Sequence, residues 1–338
     1  MAVKTKTEAD RRVLYPVLQN GHIGYINNAG KLVVAPQFSG PKSGSFRVLG
    51  AVTVRALREG LAPVEVAEKW GYIDKTGKIA IDPQFDDAGA FQAGLAAVKL
   101  ADRWGFVDKS GKIAINPQFD KVGPFADGFA AVKRDEKWGF IDSEGTYLVR
   151  PQFDDVSGSR WSVISDPTVG GGHFSEGFAG VQVGDKWGYI DKSGTLTINP
   201  QFESANSFYE GLAGVQSGQH WGFINKQGDI EINPQFDDVG GFGDKMAPVN
   251  LGGKWGFIDK TGAYVDRPQF EDASSFSEGL AAVKFDGRWG YVDKSGKYVI
   301  QPQFDEAGNF EAGLAPVRLA GSWGYIDKEG TFAWNPTS

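Results

Sequence analysis

Carboxylates and lysines are the residue types whose spacing is regular enough to suggest chemistry. Asp74, Asp108, Asp142, Asp191, Asp259, Asp293 and Asp327 each stand three residues before a glycine. Paired carboxylates can act as acid and base on sugars. A catalytic pair would stand out from its surroundings, whereas these recur once per unit, as a turn former does. Calcium would need several oxygen ligands converging on one loop, and Asp-Lys-x-Gly offers one carboxylate beside a lysine. His22, His173 and His220 fall in separate units without metal-site spacing, and His220 sits just before Trp221 as an exposed turn substituent. There is no cysteine, which excludes disulfides and thiolate chemistry. Nucleophile elbow, phosphate-binding loop and dinucleotide fingerprint are missing, and Gly170 to Gly172 follow no strand-to-helix pattern. The expectation is a protein that is not an enzyme, with no catalytic, metal-binding or cofactor-binding residues and no cofactor.

Lys75, Lys109, Lys192, Lys226, Lys260, Lys294 and Lys328 form a second regular set. If the units stack, these lysines make a ladder that could match a polymer or filament. Solvation of a turn tip is the favoured reading. Glutamines after proline, at Gln84, Gln118, Gln201 and their equivalents, are expected to bond backbone groups between units.

Such regularity requires a repeating scaffold. Trp-Gly pairs begin at Trp70, Trp104, Trp138, Trp187, Trp221, Trp255, Trp289 and Trp323, 34 residues apart except for one gap of 49. In the unit Gly94 to Phe125, strand-like runs cover Leu95 to Lys99, Trp104 to Asp108 and Lys112 to Asn116. Asp108-Lys109-Ser110-Gly111 closes a hairpin: Asp bonds nearby N–H groups and Gly tolerates positive φ. Pro117 removes a donor, so pairing should stop or bulge there. Strands apolar on both sides need cover from neighbouring units, and the tryptophans are assigned to that packing. The glycine after each tryptophan lets another backbone or ring approach closely.

The recurring block KWGYIDKTGK…I…PQFDDA…F…GLAAVK resembles the bacterial WG-repeat family over nearly the whole chain. The resemblance implies a β-rich repeat protein and no catalytic residues. Residues 1–14 are assigned to an N-terminal tail and residues 15–338 to one array of about nine units. In the first unit Ile23-Gly24 replaces Trp-Gly, and the last lacks Gln-Phe and carries Trp334. Both ends are therefore expected to be caps facing water. The expected fold is all-β, with three-stranded antiparallel meanders stacked in an open, elongated or superhelical array. A closed propeller-like ring is the alternative. It is disfavoured because 34 residues are few for a blade of about 40–45, and nine blades exceed the usual four to eight.

The net charge of −7 argues against nucleic acid as a partner. No apolar run reaches the roughly 18 residues of a membrane span, and no signal peptide is evident, so the expected location is cytoplasmic. Two insertions, near residues 39–59 and 157–171, interrupt the period. They supply the candidate partner-binding residues: Phe46, Arg47 and Arg55 in the first, Arg160, Trp161 and His173 in and beside the second. The favoured function is a non-enzymatic scaffold that binds a protein partner through an extended surface. Glycan binding by exposed aromatics such as Trp161 is the alternative.

Overall fold

A computed structural model describes residues 13–39, 57–157 and 172–337. Among the described residues nine antiparallel sheets follow one another, one per repeat. They form the blades of a nine-bladed β-propeller. In chain order the blades span 14–39, 61–85, 87–119, 121–153, 155–202, 204–236, 238–270, 272–304 and 306–337.

Blade 3 shows the plan. Its first strand Leu95–Leu100 and second strand Arg103–Asp108 pair through a tight hairpin, and the second pairs with the third, Ile113–Phe119. A two-residue corner strand, Asp87–Ala88, pairs with the first strand from the other side. Seven blades are therefore four-stranded, one strand more than the sequence suggests, while blades 1 and 2 show three strands among the described residues. The corner strand follows the preceding repeat's Phe85 by one residue. Two residues carry no periodicity, so hydrophobic patterning misses them.

Pro117 produces the expected bulge. Ile115 pairs with Phe106 and Phe119 with Trp104, so three residues of the third strand face Gly105 alone. In blade 2 a Cβ on Gly71 would lie 2.5 Å from the Ile81 carbonyl oxygen and 2.7 Å from Pro83 N. The Trp-Gly glycine is thus required by its own blade's bulge, which leans across the second strand.

Alternation sends each blade's two sides to different neighbours. Trp104, Phe106, Ile115 and Phe119 of blade 3 pack against Val122, Phe125, Ala130, Val132 and Ile141 of blade 4. Val107, Ala96 and Val98 of blade 3 meet Trp70, Tyr72, Ile81 and Phe85 of blade 2. The connector phenylalanine meets the second-strand aromatic of the preceding blade edge-on, as in Phe91 on Tyr72 with centroids 4.8 Å apart. Such ring pairs contribute about 0.5–1.5 kcal/mol beyond area burial. The packing role assigned to the tryptophans is what the structure shows: five of the eight are buried, and the half-buried Trp187 and Trp289 pack against the same interfaces.

The same arrangement joins the last blade to the first, which corrects the open-array expectation and that of water-facing caps. Tyr15, Val17 and Ile26 of blade 1 pack on Leu314 and Tyr325 of blade 9. The Tyr15 hydroxyl donates to the Glu311 carbonyl at 2.7 Å, and the Tyr325 hydroxyl to the Pro16 carbonyl at 2.9 Å. Every turn glycine faces the third strand of the preceding blade: Gly77 faces Val34, Gly111 faces Ile81, and Gly30 closes the circle on Ala333. Of the terminal departures from pattern, Trp334 packs in this closing interface, and Ile23 packs against Ala62, Val64 and Ile73 of blade 2. Thirty-four residues suffice for a blade because the corner after Pro-Gln-Phe doubles as the fourth strand.

Candidate functional site

Successive hairpins of an antiparallel meander lie at opposite ends of its strands. The disc therefore has two rims: a turn rim carrying the Asp-Lys-x-Gly turns, and a hairpin rim carrying the hairpins between first and second strands.

On the turn rim the aspartates build turns, as expected. Asp108 Oδ1 accepts from Ser110 N at 2.9 Å and Lys112 N at 3.1 Å, while Gly111 N donates to the Asp108 carbonyl. The Ser110 hydroxyl, seconded by these N–H groups, holds the carboxyl below its usual range. The lysines do more than solvate a tip. Lys109 Nζ lies 2.9 Å from Glu59 of the preceding blade, Lys226 3.1 Å from Glu176, Lys260 3.2 Å from Glu210, and Lys328 3.0 Å from Glu278. Lys192 and Lys294 approach Asp127 and Asp244 at 3.6 and 3.8 Å. The same acids accept backbone N–H groups from the next blade, as Glu59 does from Gly94 at 3.0 Å. Burial pushes the Glu59 pKa up, but Lys109 and these N–H groups together bring it below the usual value. Where the acid is replaced by Ala93 or Ala312, the facing turn carries Ser143 or Asn28 and not lysine. At these two junctions acid and lysine are missing together, whereas Lys75 stands opposite the first repeat, where the acid slot falls on Arg12, outside the described residues.

His173 is half-buried at the start of this arrangement. Burial lowers its pKa against the opposing pull of Asp127, which also accepts from Gly177 N at 2.8 Å. His173 therefore sits at the junction of blades 4 and 5, beside an inter-blade tie. Arg160 and Trp161, like Phe46, Arg47 and Arg55, lie outside the described residues, which end at Ser157 and Ser39 and resume at Gly172 and Leu57. The proline-linked glutamines differ from expectation: Gln84, Gln235 and Gln303 donate to carbonyls two residues back in their own strand. The bulge exposes those carbonyls, so the glutamine satisfies its own strand.

On the hairpin rim, five of the six lysines and arginines that precede a tryptophan reach an acid just after Pro-Gln-Phe. Lys69 meets Asp86 at 2.6 Å and Lys186 meets Glu203 at 2.8 Å, and Arg103–Asp120, Lys137–Asp154 and Arg288–Asp305 repeat the pair. The acid also accepts from the next blade's hairpin, as Asp86 does from Ala101 N at 2.9 Å. His220 takes the basic position in blade 6, 4.0 Å from Asp237 and exposed as expected.

Above these ties stands a set that sequence reasoning missed. The last residue of the first strand is Val66, Val183, Leu251 or Phe285 in blades 2, 5, 7 and 8, with 38%, 47%, 44% and 46% of its surface exposed. Leu100 and Leu319 fill the slot half-buried in blades 3 and 9. The signal was an apolar residue directly before a polar hairpin turn, absorbed into an all-apolar strand.

The chain matches a family profile described as WG containing repeat, over residues 23–40, 70–104, 104–138, 138–159, 171–187, 187–219, 221–255, 255–289 and 289–322. Comparison with curated proteins gives no match. Among solved structures it is similar to a crystal structure described as the eukaryotic initiation factor, 10% identical over 95% of each chain, with a TM-score of 0.61. It also aligns with Hsv2p of Kluyveromyces lactis, 11% identical over 80% of this chain and 89% of that one, with a TM-score of 0.39. At 10% identity the first of these likenesses speaks for fold and not for function.

Proposed function

The chain belongs to the WG-repeat family, and we propose that this member is a non-enzymatic scaffold whose hairpin rim docks a protein partner. The observation that carries the proposal is the recurrence of exposed Val66, Val183, Leu251 and Phe285 at one slot on one rim. Isolated apolar residues on a surface need no explanation, but a set repeated around one rim supports an interaction surface. The ion pairs beneath supply the polar surround typical of protein interfaces. Blade-to-blade ties hold the tips in fixed relation, so little ordering entropy is lost on docking. Glycan binding rests on Trp161, outside the described residues, and no described residue favours it.

The test uses the full chain as bait in lysate of its source organism, beside Leu251→Ser/Phe285→Ser. A turn-rim control, Lys260→Ser, keeps the hairpin rim intact. The proposal expects a protein retained by the parent and the control and lost by at least tenfold in the double variant, with melting temperatures alike. Equal retention by all three, or loss only in the turn-rim control, would overturn it.

A further inference from the structure

Nine nearly equivalent blades pose a problem for any partner that docks on the hairpin rim, because the partner meets almost the same surface at nine rotations. A specific complex needs one blade that differs. Blade 4 does. Its hairpin-tip slot holds Arg134 where the other blades hold Gln19, Val66, Leu100, Val183, Ser217, Leu251, Phe285 and Leu319. Beside it an open cleft is lined by Arg134, Asp135, Lys137, Tyr147, Arg150 and Pro151.

The cations of this cleft are unequally occupied. Lys137 is paired with Asp154. Among the described residues Arg134 reaches only Asp135, at the long distance of 3.9 Å, and that carboxylate is 95% exposed, so water competes for it. Arg150 lies over the Tyr147 ring, 5.7 Å from its centroid, and is in no ion pair among the described residues. Stacking on the ring restrains the guanidinium plane while leaving its edge donors for a ligand. Two guanidinium groups on an aromatic and proline surface thus offer forked donors to a carboxylate, on a rim whose other tip slots carry apolar or uncharged residues. The slot in blade 3 is Leu100 and the bulge residue there is Asn116, so neither arginine is needed to build a blade.

Resting on the docking role of the hairpin rim, we propose that the blade 4 cleft binds an acidic peptide segment of the partner, through carboxylates on Arg134 and Arg150, and so fixes the partner's rotation. A peptide suits the site because the apolar tips on neighbouring blades can take side chains adjoining the carboxylates.

The experiment uses the full chain and a fluorescein-labelled peptide of about ten residues alternating Glu and Leu, followed by anisotropy. The matched Gln/Leu peptide is the neutral control and inorganic phosphate a competitor. Arg134→Leu and Arg150→Asn install residues that other blades carry in those slots, and Arg267→Asn in blade 7 controls for loss of any arginine at the bulge. The expectation is binding of the acidic peptide only, weakened at least tenfold in Arg134→Leu/Arg150→Asn, unchanged in Arg267→Asn, and falling with salt. Equal binding of the neutral peptide, unchanged affinity in the double variant, or complete displacement by millimolar phosphate would overturn the proposal. If the peptide fails while Leu251→Ser/Phe285→Ser still abolishes partner capture, this inference falls and the docking role stands. If capture is indifferent to the apolar tips, the docking role itself fails.

Discussion

Single residues report most sharply where one departs from its slot. Third strands place Val34, Ile81, Ile115, Val149, Ile198, Ile232 and Ile300 between blades, but blade 7 places Asp266 there. Gln269 Nε2 donates to its Oδ1 at 2.6 Å, while the buried Oδ2 has no partner. Burial raises this carboxyl above its ordinary value of 3.8, against the weaker effect of Gln269. The folded state therefore holds a proton that the unfolded chain releases, so stability falls as pH rises from about 3.8 through the raised value. Asp266→Val, the residue of the blade 1 and blade 4 slots, should stabilise by about 1–3 kcal/mol at neutral pH and flatten that slope. Thermal melts of both proteins between acid and neutral pH check it, and an unchanged slope would contradict the assignment. This departure was visible in the sequence as a broken pattern, but its cost was not, because the facing surface belongs to the next blade.

Elements were legible in proportion to their length. First, second and third strands, the Asp-Lys-x-Gly turns and the bulge at proline follow from alternation and turn chemistry. The corner strand did not, because Asp87–Ala88 is too short for any period. Lysine pairing was hidden for another reason: Lys109 and Glu59 are 50 residues apart, and only the blade stack brings them together. The pattern of pairs makes a prediction. Blades 3 and 4 lack this tie, having Ala93 and Ser143 in the acid and lysine slots. Ala93 already has the positive φ of 52° that Glu59 adopts at 51°. Ala93→Glu with Ser143→Lys should therefore stabilise by about 0.2–1 kcal/mol at low salt. A double-mutant cycle should show favourable coupling that fades in molar salt. Additive effects would mean that the exposed pairs are incidental.

The whole molecule was the scale least legible in the chain. Strand counts favoured an open array because the fourth strand was invisible, and unusual ends suggested caps. Closure depends on Tyr15, Tyr325, Gly30 and Ala333 meeting across nearly the full length of the sequence. It also places Arg58 of the blade 2 connector 2.8 Å from Glu311 of blade 9. Closure is the premise of the functional account, since a ring presents all hairpin tips on one rim at fixed spacing, whereas an open array spreads them along a rod. Small-angle scattering in solution tests it most directly. A closed disc of 338 residues should give a radius of gyration of about 20 Å, near that of a compact globule. Nine units stacked at about 10 Å form a rod of roughly 90 Å, with a radius of at least about 26 Å. A value near the first is the predicted result, and one at or above the second would contradict the ring.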